Sequence, residues 1–151
     1  MYVTPGVIVL AAVLVAATAF GLWRRLTDGR IRGVDSSTHE SDSSKHADVL
    51  ALSAHDLGAE LGERATLVQF STAFCQPCRA TRRILDEVAG QVGGVRHVEV
   101  DAEAHLDLVR KLDVMRTPTV FVLDATGRVV RRAVGAPRKA DVVAALGDAI
   151  P

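Results

Sequence analysis

Apolar positions follow two regimes along this chain. In the first, MYVTPGVIVLAAVLVAATAFGLWRRL, no charged side chain occurs before Arg24. Its apolar run from Pro5 to Trp23 is close to the roughly 20 residues that cross a hydrocarbon core. A helix that is apolar on every side has to be enclosed by something. Trp23 stands where an interfacial aromatic belongs, and Arg24, Arg25, Arg30 and Arg32 follow it. Ala17-Thr18-Ala19 resembles the cleavage site of a secretory signal. A positive segment before the run is missing, however, and the run continues past that site to Phe20, Leu22 and Trp23. The pattern therefore predicts an uncleaved transmembrane anchor over residues 1–26. With arginines only after the span, the positive-inside rule places the rest of the chain in the cytoplasm, with an extracytoplasmic domain as the alternative.

Residues 27–47 are rich in Ser and Asp and nearly free of large apolar side chains. Such a segment buries too little to offset its ordering entropy, and it reads as a flexible linker. The second regime is periodic and fills a domain over residues 48–151. VLALS, Val49 to Ser53, reads as a short strand, and Ser53 with Asp56 has the form of a capping box opening a helix. TLVQFS, Thr66 to Ser71, is a buried-strand run. Pro77 suits the first turn of a helix whose inner face holds Ile84, Leu85, Val88 and Val92. A strand over GVRHVEVDA follows, then a short helix with Leu106, Val109 and Leu112. TPTVFVLD and RVVRRAV form a hairpin about the turn DATG, and Pro137 opens a last helix. The order β-α-β-α-β-α-β-β-α implies an α/β fold with a mixed central sheet and helices on both faces.

Charge narrows the function little. Eighteen basic and eighteen acidic residues cancel, so no basic field recruits nucleic acid. No Gly-rich phosphate loop is present, and nothing points to a nucleotide, a flavin or another cofactor.

The chemistry is concentrated in FCQPC, which holds both cysteines of the chain, Cys75 and Cys78. The pattern places it where a strand ends and a helix begins. Free N–H groups and the positive dipole end of a helix stabilise an anion there. A cysteine at that point has a depressed pKa and exists more as thiolate, the form that attacks disulfides. Cys75 is then the exposed nucleophile. Cys78, one turn in and more buried, resolves the mixed disulfide. Arg79 adds positive potential nearby, while Arg82 and Arg83 read as a solvated face. A structural zinc site requires four ligands, and His97 and His105 are not spaced to complete one. Covalent haem requires His at position 79, which is Arg. A pair of inert core cysteines is the remaining alternative.

With these residues in place, the sequence resembles the thioredoxin family, and in particular its membrane-tethered actinobacterial members. TLVQFSTAFCQPCRATRRIL resembles the family's strand, C-x-x-C and helix. LDVMRTPTVFVLDATGRVVRRAVG resembles its later part, in which a cis-proline faces the cysteines. The likeness runs from about Leu50 to Ile150. It implies that Cys75 attacks, Cys78 resolves and Pro118 is the cis-proline. It implies a substrate-binding surface of Phe74, Gln76, Pro77, Thr117 and Pro118, with the Thr117 backbone pairing with substrate. Three positions depart from the family: Phe74 replaces Trp, Gln76 replaces Gly, and Gln69 replaces a buried Asp that moves a proton for the resolving thiol. The usual lysine partner of that Asp falls near His97, so Gln69 and His97 are the positions where proton-transfer support is expected. Gln69 cannot titrate, which predicts slow release of the mixed disulfide.

The expected function is a membrane-anchored thiol–disulfide oxidoreductase acting on protein disulfides, with a thiol electron donor or acceptor as second partner. A non-catalytic adaptor with the same fold and a thiolate metallochaperone are the alternatives.

Overall fold

The computed structural model describes residues 3–27, 31–33 and 51–151, with side chains for 7–23 and 51–151. The uniform apolar run forms one helix, α1 (Val3–Thr27). Ten large apolar side chains between Val7 and Trp23 are each more than half exposed. Burying one such side chain stabilises by about 1.5–3 kcal/mol. Together they outweigh the whole net stability of an ordinary domain, roughly 5–15 kcal/mol. Among the described residues no helix is long and apolar enough to cross a membrane. The side chains of Arg24, Arg25, Arg30 and Arg32, on which the orientation argument rests, lie outside the described residues.

The stretch expected to be a flexible linker is in part a strand. β1 (Ile31–Gly33) pairs antiparallel with the last strand of the sheet. Residues 34–50 lie outside the described residues. The expected strand at Val49–Ser53 lies partly outside the described residues. Val49 and Leu50 are not described, and Ala51 makes only an isolated bridge to Arg128. The chain cannot run on as a strand because Ser53 caps α2 (Ala54–Leu57), with the capping box to Asp56 formed on both sides.

The remaining elements follow the periodicity. They are β2 (Ala65–Ser71), α3 (Gln76–Gln91), β3 (Val95–Asp101), α4 (Leu106–Lys111), β4 (Thr119–Asp124), β5 (Val129–Val134) and α5 (Lys139–Ala149). The sheet order is β1-β5-β4-β2-β3. Among the described strands only β2 and β3 pair in parallel. Every residue of β2 is buried, as a central strand covered on both faces requires. Alternation sends Val68 and Phe70 to one side, with Phe121, Leu57 and Leu108. It sends Ala65 and Leu67 to the other, where Leu85, Val88, Val142 and Leu146 of α3 and α5 cover them. Phe70 and Phe121 meet edge to face, 5.7 Å between centroids.

The two ends of the sheet are built differently. At one end β4 turns into β5 at Gly127, whose φ is +84°. A Cβ there would lie 2.2 Å from the Leu52 carbonyl oxygen, so the close approach of the two segments needs glycine. At the other end β2 stops at Ser71 and β4 starts at Thr119, side by side.

Candidate active site

The loop from Thr72 to Cys75 carries the chain from β2 into α3. The Cys75 N–H donates to the Thr72 carbonyl at 3.2 Å. Cys75 is the N-cap of α3 with extended backbone, and Pro77 lies in the first turn, where its missing N–H costs nothing. The Cys75 sulfur accepts from the Cys78 N–H at 3.2 Å, so a sulfur fills the place of the usual capping oxygen. The same donor that caps the helix stabilises a thiolate at Cys75 once the disulfide is opened. The two cysteines form a disulfide with Cα atoms 5.2 Å apart. Cys78 is 2% exposed, while Cys75 is half-buried and faces solvent. Phe74 beside it is 96% exposed. Gln76, between the cysteines, accepts from Arg79 at 2.9 Å and holds that guanidinium in the first turn.

A second loop meets the first. The Thr117–Pro118 peptide bond is cis. The hydroxyls of Thr117 and Thr72 lie 3.4 Å apart. The Pro118 carbonyl accepts from the Gly135 N–H at 2.8 Å, fixing the loop to the end of β5. Phe74, Cys75, Gln76, Pro77, Cys78, Thr117 and Pro118 therefore share one end of the sheet. Met115, 83% exposed in the same loop, joins them. Sequence reasoning did not single it out.

Beneath the disulfide, Gln69 is fully buried and its Nε2 donates to the Cys78 carbonyl at 3.0 Å. Its Oε1 is buried without a partner. His97 is not across from it. In the parallel register His97 stands opposite Leu67, and Glu99 stands opposite Gln69. His97 instead bonds Asp86 of α3 through Nδ1 at 2.6 Å, and its Nε2 is buried without a partner. Glu99 is the carboxylate that the sequence reading passed over. It accepts from the Ser71 hydroxyl at 2.6 Å and pairs with Arg82, which is thereby more than a solvated arginine. Burial pushes the Glu99 carboxyl up, but the hydrogen bonds from Arg82 and Ser71 together outweigh it and hold the group below its ordinary value. The signal was in the strand itself: with Val98 and Val100 on one face, His97 and Glu99 share the other, towards Cys78 and Arg82 on α3.

Among the described residues no group of three or more His, Cys, Asp or Glu could hold a metal ion. A buried thiol, a half-exposed thiol and an apolar rim suit exchange with another disulfide, in which the accessible sulfur is attacked first.

Comparison with known proteins agrees. The thioredoxin family model matches residues 48–148. The thioredoxin of Mycolicibacterium smegmatis is 33% identical over 90 residues, 58% of this chain and 80% of that protein. The thioredoxin of Mycobacterium tuberculosis strain H37Rv is 28% identical over 113 residues, 74% of this chain and 97% of that protein. The bifunctional thioredoxin reductase/thioredoxin of Mycobacterium leprae is 28% identical over 127 residues, 83% of this chain, but this chain spans only 25% of its length. Among solved structures, oxidised mitochondrial thioredoxin 3 of Saccharomyces cerevisiae superposes with a TM-score of 0.51 at 20% identity, over 57% of this chain and 79% of that one. Reduced Schistosoma mansoni thioredoxin superposes with 0.52 at 22%, over 59% and 82%. At that identity the likeness is one of fold. Taken with the match over residues 48–148, this shows that the chain belongs to the thioredoxin family of thiol–disulfide oxidoreductases.

Proposed function

We propose that this chain is a membrane-anchored protein-disulfide oxidoreductase, with Cys75 as nucleophile, Cys78 as resolving thiol and residues 1–26 as a single-span anchor. The observation that carries the reading is the asymmetry of the pair at the start of α3: Cys75 is accessible and capped by the Cys78 N–H, while Cys78 is buried. In the reduced state the Cys75 thiolate attacks a substrate disulfide, and Cys78 attacks Cys75 Sγ to release the substrate as a dithiol. Phe74, Gln76, Pro77, Thr117 and Pro118 form the surface that receives the substrate. A thiol donor reduces the Cys75–Cys78 disulfide again. The anchor reading is supported by the exposed apolar side chains of α1. The arginines that follow them favour a cytoplasmic domain, where a reducing environment makes the chain a reductase.

Protease protection tests the anchor and its orientation. In sealed spheroplasts the domain, followed by immunoblot in the membrane fraction, is expected to resist external protease. Digestion overturns the cytoplasmic assignment. Recovery of the domain in the soluble fraction overturns the anchor. In parallel, reduced Cys78→Ser protein is expected to accumulate a mixed disulfide with a model protein disulfide, and Cys75→Ser protein is expected to form none.

A further inference from the structure

We infer from the strand register that the disulfide end of the domain faces the membrane surface, so that the substrate is a cysteine pair lying close to the bilayer in a membrane-embedded partner. The inference rests on the anchor reading above. β1 is antiparallel to β5, β5 to β4, and β4 to β2. β1 therefore begins at the end of the sheet where β2 finishes. One row of Cα partners runs across the sheet from Ile31 to Ala133, Val120 and Gln69. Gln69 is the residue hydrogen-bonded to Cys78. The first residue of β1 is thus level with the floor of the active site.

Connectivity then fixes which end is near the anchor. α1 ends at Thr27 and β1 starts at Ile31, with Asp28, Gly29 and Arg30 between. Four Cα steps span at most about 15 Å. Across the sheet, three strand spacings from Ile31 to Gln69 add about 14 Å. The far end of β2, near Ala65, lies about 13 Å further along the strand. A short connection and an ordered first strand hold the disulfide end nearest to the bilayer. The apolar side chains exposed at that end, Phe74 and Met115, then meet the membrane-proximal surface of the partner. A pair of cysteines far out on a soluble domain is reached only if β1 leaves β5.

The exchange is balanced within the pair. The Cys75 thiolate attacks one sulfur of the partner's disulfide, and the other partner sulfur leaves as a thiolate. Cys78 then displaces the first partner sulfur from Cys75. Two electrons pass to the partner, whose thiolates take up protons from water, and a dithiol donor reduces the chain again.

The test uses the full chain in phosphatidylcholine/phosphatidylglycerol vesicles. After reduction, Cys75 is alkylated with a bimane, the buried Cys78 being shielded, and quenching by headgroup-nitroxide lipid is read. A second sample carries the bimane on Ala125→Cys, at the opposite end of the sheet, in a Cys75→Ser, Cys78→Ser background. Quenching at Cys75 is expected to exceed that at the far turn. Inserting about 20 Gly/Ser residues after Gly29 is expected to remove the difference. A chain that does not float with the vesicles sinks the anchor and the orientation together. Flotation with equal quenching, or with stronger quenching at position 125, overturns the orientation alone. Unlabelled wild-type chain supplies a readout that needs no variant. Reduced protein is expected to cleave a disulfide placed directly after the span of a single-span peptide at least about fivefold faster than one held away by a long rigid spacer. Equal rates overturn the inference.

Discussion

The two ends of the central sheet are built to opposite rules. At the β4–β5 turn Asp124 gathers the polar groups of its neighbours. Asp124 accepts from the Thr126 and Arg128 N–H groups and from the Thr126 hydroxyl, and Gly127 is wedged against Leu52. At the disulfide end, Phe74 and Met115 stand in solvent, and Gln69 keeps one buried oxygen without a partner. An unpaired buried polar atom and exposed apolar side chains cost stability, and the disulfide end carries both. The far end closes the fold, while the near end leaves apolar surface open.

Substitutions at the two ends separate these roles. The largest effect is expected from Cys75→Ser, which should lower disulfide exchange by at least about 10³-fold while the thermal midpoint stays that of the reduced wild type. Retained exchange, measured by reduction of a protein disulfide, would show that the chemistry lies elsewhere. Next comes Gly127→Val at the closed end. It puts a Cβ against the Leu52 carbonyl at a φ that L-residues rarely adopt, and should cost about 2–4 kcal/mol of stability. The exchange rate of the folded fraction should not move. Urea denaturation and the rate assay on one preparation decide it, and a rate loss without a stability loss would erase the distinction between the ends.

Gln69→Asp is the one change at the open end expected to trade one property for the other. A buried carboxyl near Cys78 restores a group that accepts a proton, raising turnover at neutral pH by up to about 10-fold. It also loses the bond to the Cys78 carbonyl, at about 1–3 kcal/mol. An unchanged rate sinks the proton-transfer argument. The smallest effect is expected at Asp124. Burial pushes its carboxyl up, but hydrogen bonds from Thr126 and Arg128 prevail and hold it below its ordinary value of 3.8. A group whose folded pKa is depressed contributes stability above its unfolded pKa and loses it as pH falls through the folded one. Wild-type stability should therefore fall below about pH 4. Asp124→Asn should lower it by about 1 kcal/mol at pH 7 and remove that part of the acid dependence. Parallel pH profiles of the two proteins would refute the assignment.

Most of the site was legible because it is local. C-x-x-C at a strand–helix junction, a proline in the first helical turn and an S-x-x-D capping box are decided within a few residues. The pairings that reach across the sheet were not legible. His97 was the expected neighbour of Gln69, yet the parallel register of β2 and β3 sets Glu99 there and turns His97 to Asp86. A shift of two residues along a strand leaves the same side chains on the same face, so the alternation of apolar positions cannot distinguish the two pairings.

The sequence by itself determined the family-level fold, the position of the redox pair at a helix N-terminus and the exceptional character of the first 26 residues. Composition and periodicity act over one or two turns, and each of these features lives at that range. Tertiary structure alone decided that Ile31–Gly33 joins the sheet edge, that the Thr117 hydroxyl meets that of Thr72, and which end of the sheet the first strand enters. Those outcomes depend on hydrogen bonds between residues up to about a hundred positions apart, whose backbone groups are identical in every residue but proline. Only the packed core selects which of them pair.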